Sequence, residues 1–206
     1  MDIGAYLVTV LLLELTPGPN MAYLATLALS RGQVAGLIAT SGVALGLALH
    51  AIVAAFGAGL VVQQYPVLYD LLRWIGVGYL LYLSWRGWRG ETELSSEQAD
   101  LTPLVARLFL RGFLSNVFNP KSVLFFVSVL PAFVAPEAGL ASIPTQMAFL
   151  GILYVAIATT IHSAIVLLAG WVGAWVVGGS SQQTVRRILS VVLAFVAVWL
   201  AWATAR

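Results

Sequence analysis

The sequence predicts an all-α membrane protein: six transmembrane helices forming two inverted three-helix repeats, with helices 1 and 4 interrupted at proline motifs. Three observations carry that expectation. Of 206 residues, 61% are hydrophobic and only 9% charged, against about 25% charged in a soluble domain. The stretches Gly32 to Tyr69, Ala138 to Val185 and Ile188 to Ala205 contain no Asp, Glu, Lys or Arg. A spanning helix needs about 20 mostly apolar residues, and no polar exterior is large enough to hide such stretches in a soluble core. Finally, polar breaks containing proline fall at corresponding places in the two halves, at Thr16-Pro17-Gly18-Pro19-Asn20 and at Asn116-Val117-Phe118-Asn119-Pro120-Lys121.

The spans are expected at roughly 4–29, 36–61, 67–88, 112–134, 146–176 and 187–205. The opening Met1-Asp2-Ile3 lacks a basic region, so span 1 reads as retained rather than as a cleaved signal. Arg31-Gly32 connects it to span 2, where Gly42 and Gly46 form a small-xxx-small packing face and His50 follows. Span 3 starts after Gln63-Gln64-Tyr65-Pro66 and ends in Tyr82-Leu83-Ser84-Trp85-Arg86. Gly87 to Arg111 is the long hydrophilic connection, with Glu91, Glu93, Glu97 and Asp100. Its last part, Pro103 to Phe113, is a basic amphipathic approach with Arg107 and Arg111 directed at headgroups. Spans 4, 5 and 6 are joined by Pro136-Glu137-Ala138-Gly139 and Gly178-Gly179-Ser180-Ser181. Span 5 carries His162, the counterpart of His50, and span 6 ends, like span 3, in an aromatic stretch closed by an arginine, Arg206.

The whole chain, 1–206, reads as one transmembrane domain: repeat 1 at 1–90, a cytoplasmic linker at 91–106 and repeat 2 at 107–206. Three spans per half make the second repeat inverted. Inverted repeats with matching interrupted helices point to transport, with the site at the repeat interface. Seven arginines, Arg31, Arg86, Arg89, Arg107, Arg111, Arg186 and Arg187, fall on one side, against Arg73 and Arg206 on the other. The positive-inside rule makes the first side cytoplasmic. Both termini then face the periplasm or exterior of a bacterial inner membrane. Trp85, Trp88, Trp171 and Trp175 fall near the inner interface and Trp74, Trp199 and Trp202 near the outer one, as amphipathic rings prefer.

Several classes drop out. The chain has no cysteine, hence no disulfide or thiolate metal site. There is no metal-ligand spacing, no nucleophile–base motif and no basic patch for nucleic acid, so no cofactor, enzyme activity or nucleic-acid partner is expected.

Chemistry concentrates at the breaks. Glu14 lies eleven residues past Ile3, or about 16 Å deep, near the centre of a ~30 Å hydrocarbon layer. Lys121 is about 15 Å from Arg111 on the opposite side. Each charge costs about 2.5–3.5 kcal/mol at a helix centre, so such residues pair or line a wet cavity. Two prolines and a glycine at Thr16, Pro17, Gly18, Pro19 and Asn20 interrupt the backbone, exposing amide groups that attract carboxylates and carbonyls that suit ammonium. Asn119, Pro120 and Lys121 form the second break. Asn116 and Asn119 are three residues apart, hence expected on one helical face. Ser115, Ser122 and Ser128 are expected to satisfy backbone groups locally. His50 and His162 are read as packed histidines or proton relays.

Leu15-Thr16-Pro17-Gly18-Pro19-Asn20, then Ser30-Arg31-Gly32, Ala35-Gly36-Leu37, Gly42 and His50, resemble the start of LysE superfamily exporters of the RhtB-like, homoserine/threonine-type branch. Tyr79-Leu80-Leu81-Tyr82-Leu83, Asn119-Pro120-Lys121 and Leu130-Pro131 resemble the remainder. The resemblance covers nearly the whole chain. It implies export of amino acids and derivatives, energy from the proton gradient, homodimers, and site positions at Pro17, Gly18, Pro19, Asn119, Pro120 and Lys121. Glu14 enters on depth and charge alone. The resulting expectation is an amino-acid exporter by proton antiport with alternating access. Its partners are a small amino-acid-like solute, protons and the lipid bilayer. A transporter or channel for inorganic cations and a non-transporting scaffold are the alternatives.

Overall fold

The computed structural model describes residues 2–16, 18–57, 66–89, 101–135, 141–176 and 182–203. Among them there is no strand. The helices are α1 (Ile3–Leu15), α2 (Pro19–Ala55), α3 (Pro66–Arg89), α4 (Leu101–Val117), α5 (Pro120–Leu124), α6 (Ile143–Val176) and α7 (Gln182–Ala203). After α5 the helix widens into a π turn, Phe125–Val129, then tightens to a 3₁₀ turn, Leu130–Phe133. Pro131 explains the change, because it lacks the N–H that an α-helix would need there. Pro17, the acidic residues of 91–100, most of the inter-helix connections, Arg206 and the side chains of Trp175 and Trp199 lie outside the described residues.

At about 1.5 Å per residue, α2 as a straight rod would measure about 56 Å, nearly twice the hydrocarbon thickness. It is not straight. Gly32 adopts φ 85°, ψ 172°, a region essentially reserved for glycine, and the chain folds back there. Asn116 hydrogen-bonds Asn20 and its side chain also lies 2.9 Å from where a Cβ on Gly46 would stand. On a continuous helix those two positions would be about 39 Å apart. Arms 19–31 and 33–55 therefore run side by side, with Ala28 against Gly36 near the turn. The expected Arg31-Gly32 connection is thus a one-residue reversal.

At the two breaks the helices end for local reasons. Thr16, ahead of Pro17, is extended at φ −71°, ψ 118°, as a residue before proline prefers. Pro19 opens α2, where its missing N–H has no cost. The second break repeats this logic: Asn119 is extended at φ −81°, ψ 110°, its side chain caps the Lys121 N–H, and Pro120 opens α5. The two helices flanking this break are bent by 49°. One expectation needs correction here. Asn116 and Asn119 do not share a helical face, because α4 stops at Val117 between them. Helix α4 runs without interruption through the amphipathic approach at 103–113, since Pro103 falls in the first turn, where it is tolerated.

Arm 33–55 is the packing hub. It lies antiparallel to α6, with Gly36 against Val166 and Gly151 against Ala51. On α4, Gly42 faces the Phe109 carbonyl while Gly112 faces the Ala39 carbonyl, so the two backbones touch. That is the small-residue contact by which helices associate in lipid. Helices α3 and α7 pair separately through Val77, Leu80 and Ala197 and a 2.7 Å bond from Ser84 Oγ to the Ser190 carbonyl. Large apolar side chains such as Val8, Leu12, Phe56, Ile152, Phe195 and Trp202 are exposed around the outside, far more than a water-facing surface carries. Among the described residues, two helices are long and apolar enough to cross a membrane, or three if the bent α4–α5 pair counts as one span.

A Cβ on Gly42 would stand 2.0 Å from the Phe109 carbonyl oxygen, whereas one on Gly78 meets nothing within 4 Å. Gly42→Ala is expected to cost about 1–3 kcal/mol, read by unfolding in detergent or nanodiscs, with Gly78→Ala neutral or slightly stabilising as the control.

Candidate functional site

The breaks bring charges from three elements together. Glu14, on the last turn of α1, is 3% exposed. Tyr154 of α6 donates its hydroxyl to Glu14 Oε1 at 2.6 Å. Lys121 Nζ, from the first turn of α5, stands 4.0 Å from the same oxygen. His162 Nε2 is 3.5 Å from Oε2. The Lys121 ammonium also donates to the Thr16 carbonyl at 2.9 Å. A carboxylate deep in the bundle is thereby surrounded by a cation, a phenol and an imidazole, as a charge removed from water requires.

A second polar network ties the two breaks together. Asn20 donates to Asn116 Oδ1 at 2.7 Å, Ser122 donates to the same oxygen at 3.0 Å, and Ser115 donates to Asn20 Oδ1 at 3.3 Å. Ser115 and Ser122 therefore bond to side chains of the network instead of the local backbone groups expected of them. Ser128 is exposed on the π turn. Asn116 Nδ2 and His162 Nδ1 are buried without a hydrogen-bond partner.

Between the clusters is a cavity of about 10 Å³ lined by Glu14, Gly18, Asn20, Lys121, Tyr154 and His162, among others. That is close to the room one water molecule needs. A free amino acid does not fit in it. A wider apolar groove, about 1400 Å³, lies along arm 33–55 and α6 between residues such as Ala48, Ile52, Ala156 and Thr160. It contains none of the charged residues; its polar lining is limited to the hydroxyls of Thr145, Thr159, Thr160 and Ser163.

The two histidines part company. His162 faces Glu14; His50 does not line the cavity. Its ring lies 5.8 Å from Phe126 and it shares a hydrogen bond with the backbone of Val117, at the end of α4. Pro19 and Pro120 are buried at the helix starts. Tyr154, which sequence reasoning missed, is clamped by Phe125, stacked at 3.8 Å between ring centroids, and by Phe126, edge-on at 5.2 Å. Its position eight residues before His162 on α6 was the available signal, since i, i+4 and i+8 share a helix face.

Apolar exposed helices around a buried charged centre define a multi-pass membrane protein. The chain belongs to the LysE type translocator family, whose model matches residues 11–204, in agreement with the resemblance carried by its motifs. A homoserine/homoserine lactone efflux protein of Salmonella typhimurium is 26% identical over 197 residues, covering 96% of this chain and 94% of its own. An uncharacterized membrane protein of Vibrio cholerae is 33% identical over 132 residues, 64% of each chain. One of Pseudomonas aeruginosa is 33% identical over 144 residues, 66% of this chain and 65% of its own. No solved structure matches the chain significantly.

A hydrogen bond to a charged acceptor is worth about 1.5–3 kcal/mol. Tyr154→Phe is expected to lose about that much stability, and much less in a Glu14→Gln background. A double-mutant cycle by chemical unfolding reads the coupling; a coupling near zero would disconnect the two residues.

Proposed function

We propose that this protein is a secondary active exporter of an amino acid or amino-acid derivative, working by proton antiport with alternating access across the bacterial inner membrane. The observation that carries the reading is the buried Glu14 carboxylate, paired with Lys121 and His162 between two broken helices. Such discontinuous helices offer carbonyl and amide ends to a charged guest halfway through a bilayer.

In this reading the chain crosses the membrane six times as two inverted halves, 1–90 and 107–206, joined by a cytoplasmic linker at 91–106. Support comes from the broken pair in each half and from the pairing of like elements: arm 33–55 with α6, and α3 with α7. Further support comes from Arg89 over Trp85 at 4.9 Å and Arg187 over Trp88 at 5.4 Å. The second contact brings the end of α3 and the start of α7 to one level, on the side that charge bias makes cytoplasmic.

The guest's ammonium is received by Glu14 and the Thr16 carbonyl, and its carboxylate, where it has one, by Lys121 and the amides of Asn20, Asn116 and Asn119. Glu14 carries the exchanged proton, because one carboxylate cannot hold both a proton and an ammonium partner. His162 is the adjacent group able to pass that proton on. Relatives named for homoserine and its lactone support a small amine of this size as the solute.

Purified protein in proteoliposomes with an imposed pH gradient tests the proposal. Gradient-driven efflux of an amino acid found by a counterflow screen is expected to vanish in Glu14→Gln while the protein still inserts and folds. Undiminished efflux rejects the proton role, and cation currents without amino-acid counterflow reject the substrate class.

A further inference from the structure

Lys121 itself occupies the place where a guest's ammonium is expected. Its Nζ bonds the Thr16 carbonyl at 2.9 Å and stands 4.0 Å from Glu14. In an unbroken helix that carbonyl would accept from the N–H four residues on; the break removes that partner. A helix C-terminal carbonyl beside a carboxylate is a seat for a cation. The lysine stem crosses Gly18, where a Cβ would stand 3.2 Å from Lys121 Cδ and 3.5 Å from Nζ. Gly18 has φ −141°, ψ 175°, a conformation open to any residue. The missing side chain there makes room for the stem, not for an unusual backbone.

The hold on this ammonium is incomplete. It has three donors, yet among the described residues one direct hydrogen bond is made, to Thr16. Glu14 is beyond hydrogen-bond reach and its Oε1 already accepts from Tyr154. The small cavity adjoins the same group. An ammonium seated in this way is one that another ammonium can replace.

We infer that Lys121 is a tethered stand-in for the solute. It fills a primary-ammonium seat made by the Thr16 carbonyl and Glu14, and the amine of an incoming solute must displace it. The inference rests on the exporter reading and deepens it. The seat selects primary amines, since an N-acylated solute brings no charge and a quaternary ammonium no N–H. Once displaced, the lysine is free to meet a carboxylate. Homoserine and its lactone, for which relatives are named, share the amine, whereas only the first has a carboxylate. Between transport cycles the stand-in keeps Glu14 from being left as an unpaired buried charge.

Lys121→Ala deletes the atoms of n-propylamine, so n-propylammonium is the probe. It is titrated into nanodisc-embedded wild type and variant, with binding read by calorimetry and stability by thermal unfolding. The expected result is binding about tenfold or more tighter to the variant than to the wild type, with recovery of the variant's melting temperature. Neither n-propanol nor tetramethylammonium should reproduce it. If Lys121→Ala does not fold, Lys121→Met keeps the stem and deletes only the terminal nitrogen, and the ammonium ion is the probe with the same expectation. Equal binding to wild type and folded variant, or equal stabilisation by n-propanol, overturns the seat. No gradient enters this measurement. Failed rescue alongside proton-driven efflux that requires Glu14 refutes the stand-in and leaves the exporter reading intact. Successful rescue without any amino-acid flux does the reverse.

Discussion

A carboxylate buried where the first helix breaks has to be compensated from within the protein, and much of the arrangement follows from that constraint. Away from water, an unpaired ion costs several kcal/mol. Compensation comes from three side chains on two segments far from Glu14 in sequence: Lys121 at the start of α5, with Tyr154 and His162 on α6. Bringing them to Glu14 fixes where α5 begins, hence the break at Phe118 and Asn119. It also fixes the rotation of α6 about its axis. The aromatic wall of Phe125 and Phe126 then holds Tyr154 in place from the opposite side.

The broken helices create a second obligation, because backbone groups released in an apolar layer must find partners. The structure meets it with side chains at the breaks themselves. Asn119 caps the N–H of Lys121, and the Thr16 carbonyl takes the Lys121 ammonium. Asn20, Asn116, Ser115 and Ser122 bond one another across both breaks. Glycines bring the backbones close enough for these short side chains to meet. Gly42 against Phe109, Gly112 against Ala39 and Gly46 against Asn116 hold arm 33–55 directly on α4. A larger residue on that seam pushes the polar network apart as well as the helices.

What the sequence makes legible is whatever composition and backbone chemistry decide locally. Low charge density marks the membrane, proline marks the helix breaks, and counting residues from the span ends puts Glu14 and Lys121 at a common depth, where the structure brings them to 4.0 Å. What it leaves open is rotation about helix axes and lateral neighbours, which are set by packing between distant segments. For that reason His50 and His162 read alike in sequence, yet only His162 reaches the carboxylate. Tyr154 is obscured for the same reason: its place eight residues before His162 marks a shared face, but only the packing shows that this face meets the carboxylate. The Gly32 reversal was legible as a connection but not as a single residue, because its sharpness depends on one φ value. Gly18 was readable only as a helix breaker, since its second role appears once the lysine stem is laid across it.

On the exporter reading proposed above, the magnitudes suit exchange better than permanent fastening. Two charges at this depth together cost about 5–7 kcal/mol by insertion measurements. Their attraction at 4.0 Å is about 4 kcal/mol at an effective dielectric constant of about 20, and the phenol bond to a charged acceptor adds about 1.5–3 kcal/mol. The terms nearly cancel, so the pair is held without being locked. A tightly docked bidentate pair would resist separation, and an apolar replacement would hold the halves together without offering anything to a zwitterion. A lysine with one direct bond and a carboxylate at arm's length leaves the closed cluster near balance, where a solute supplying its own ammonium and carboxylate exchanges like contacts for like.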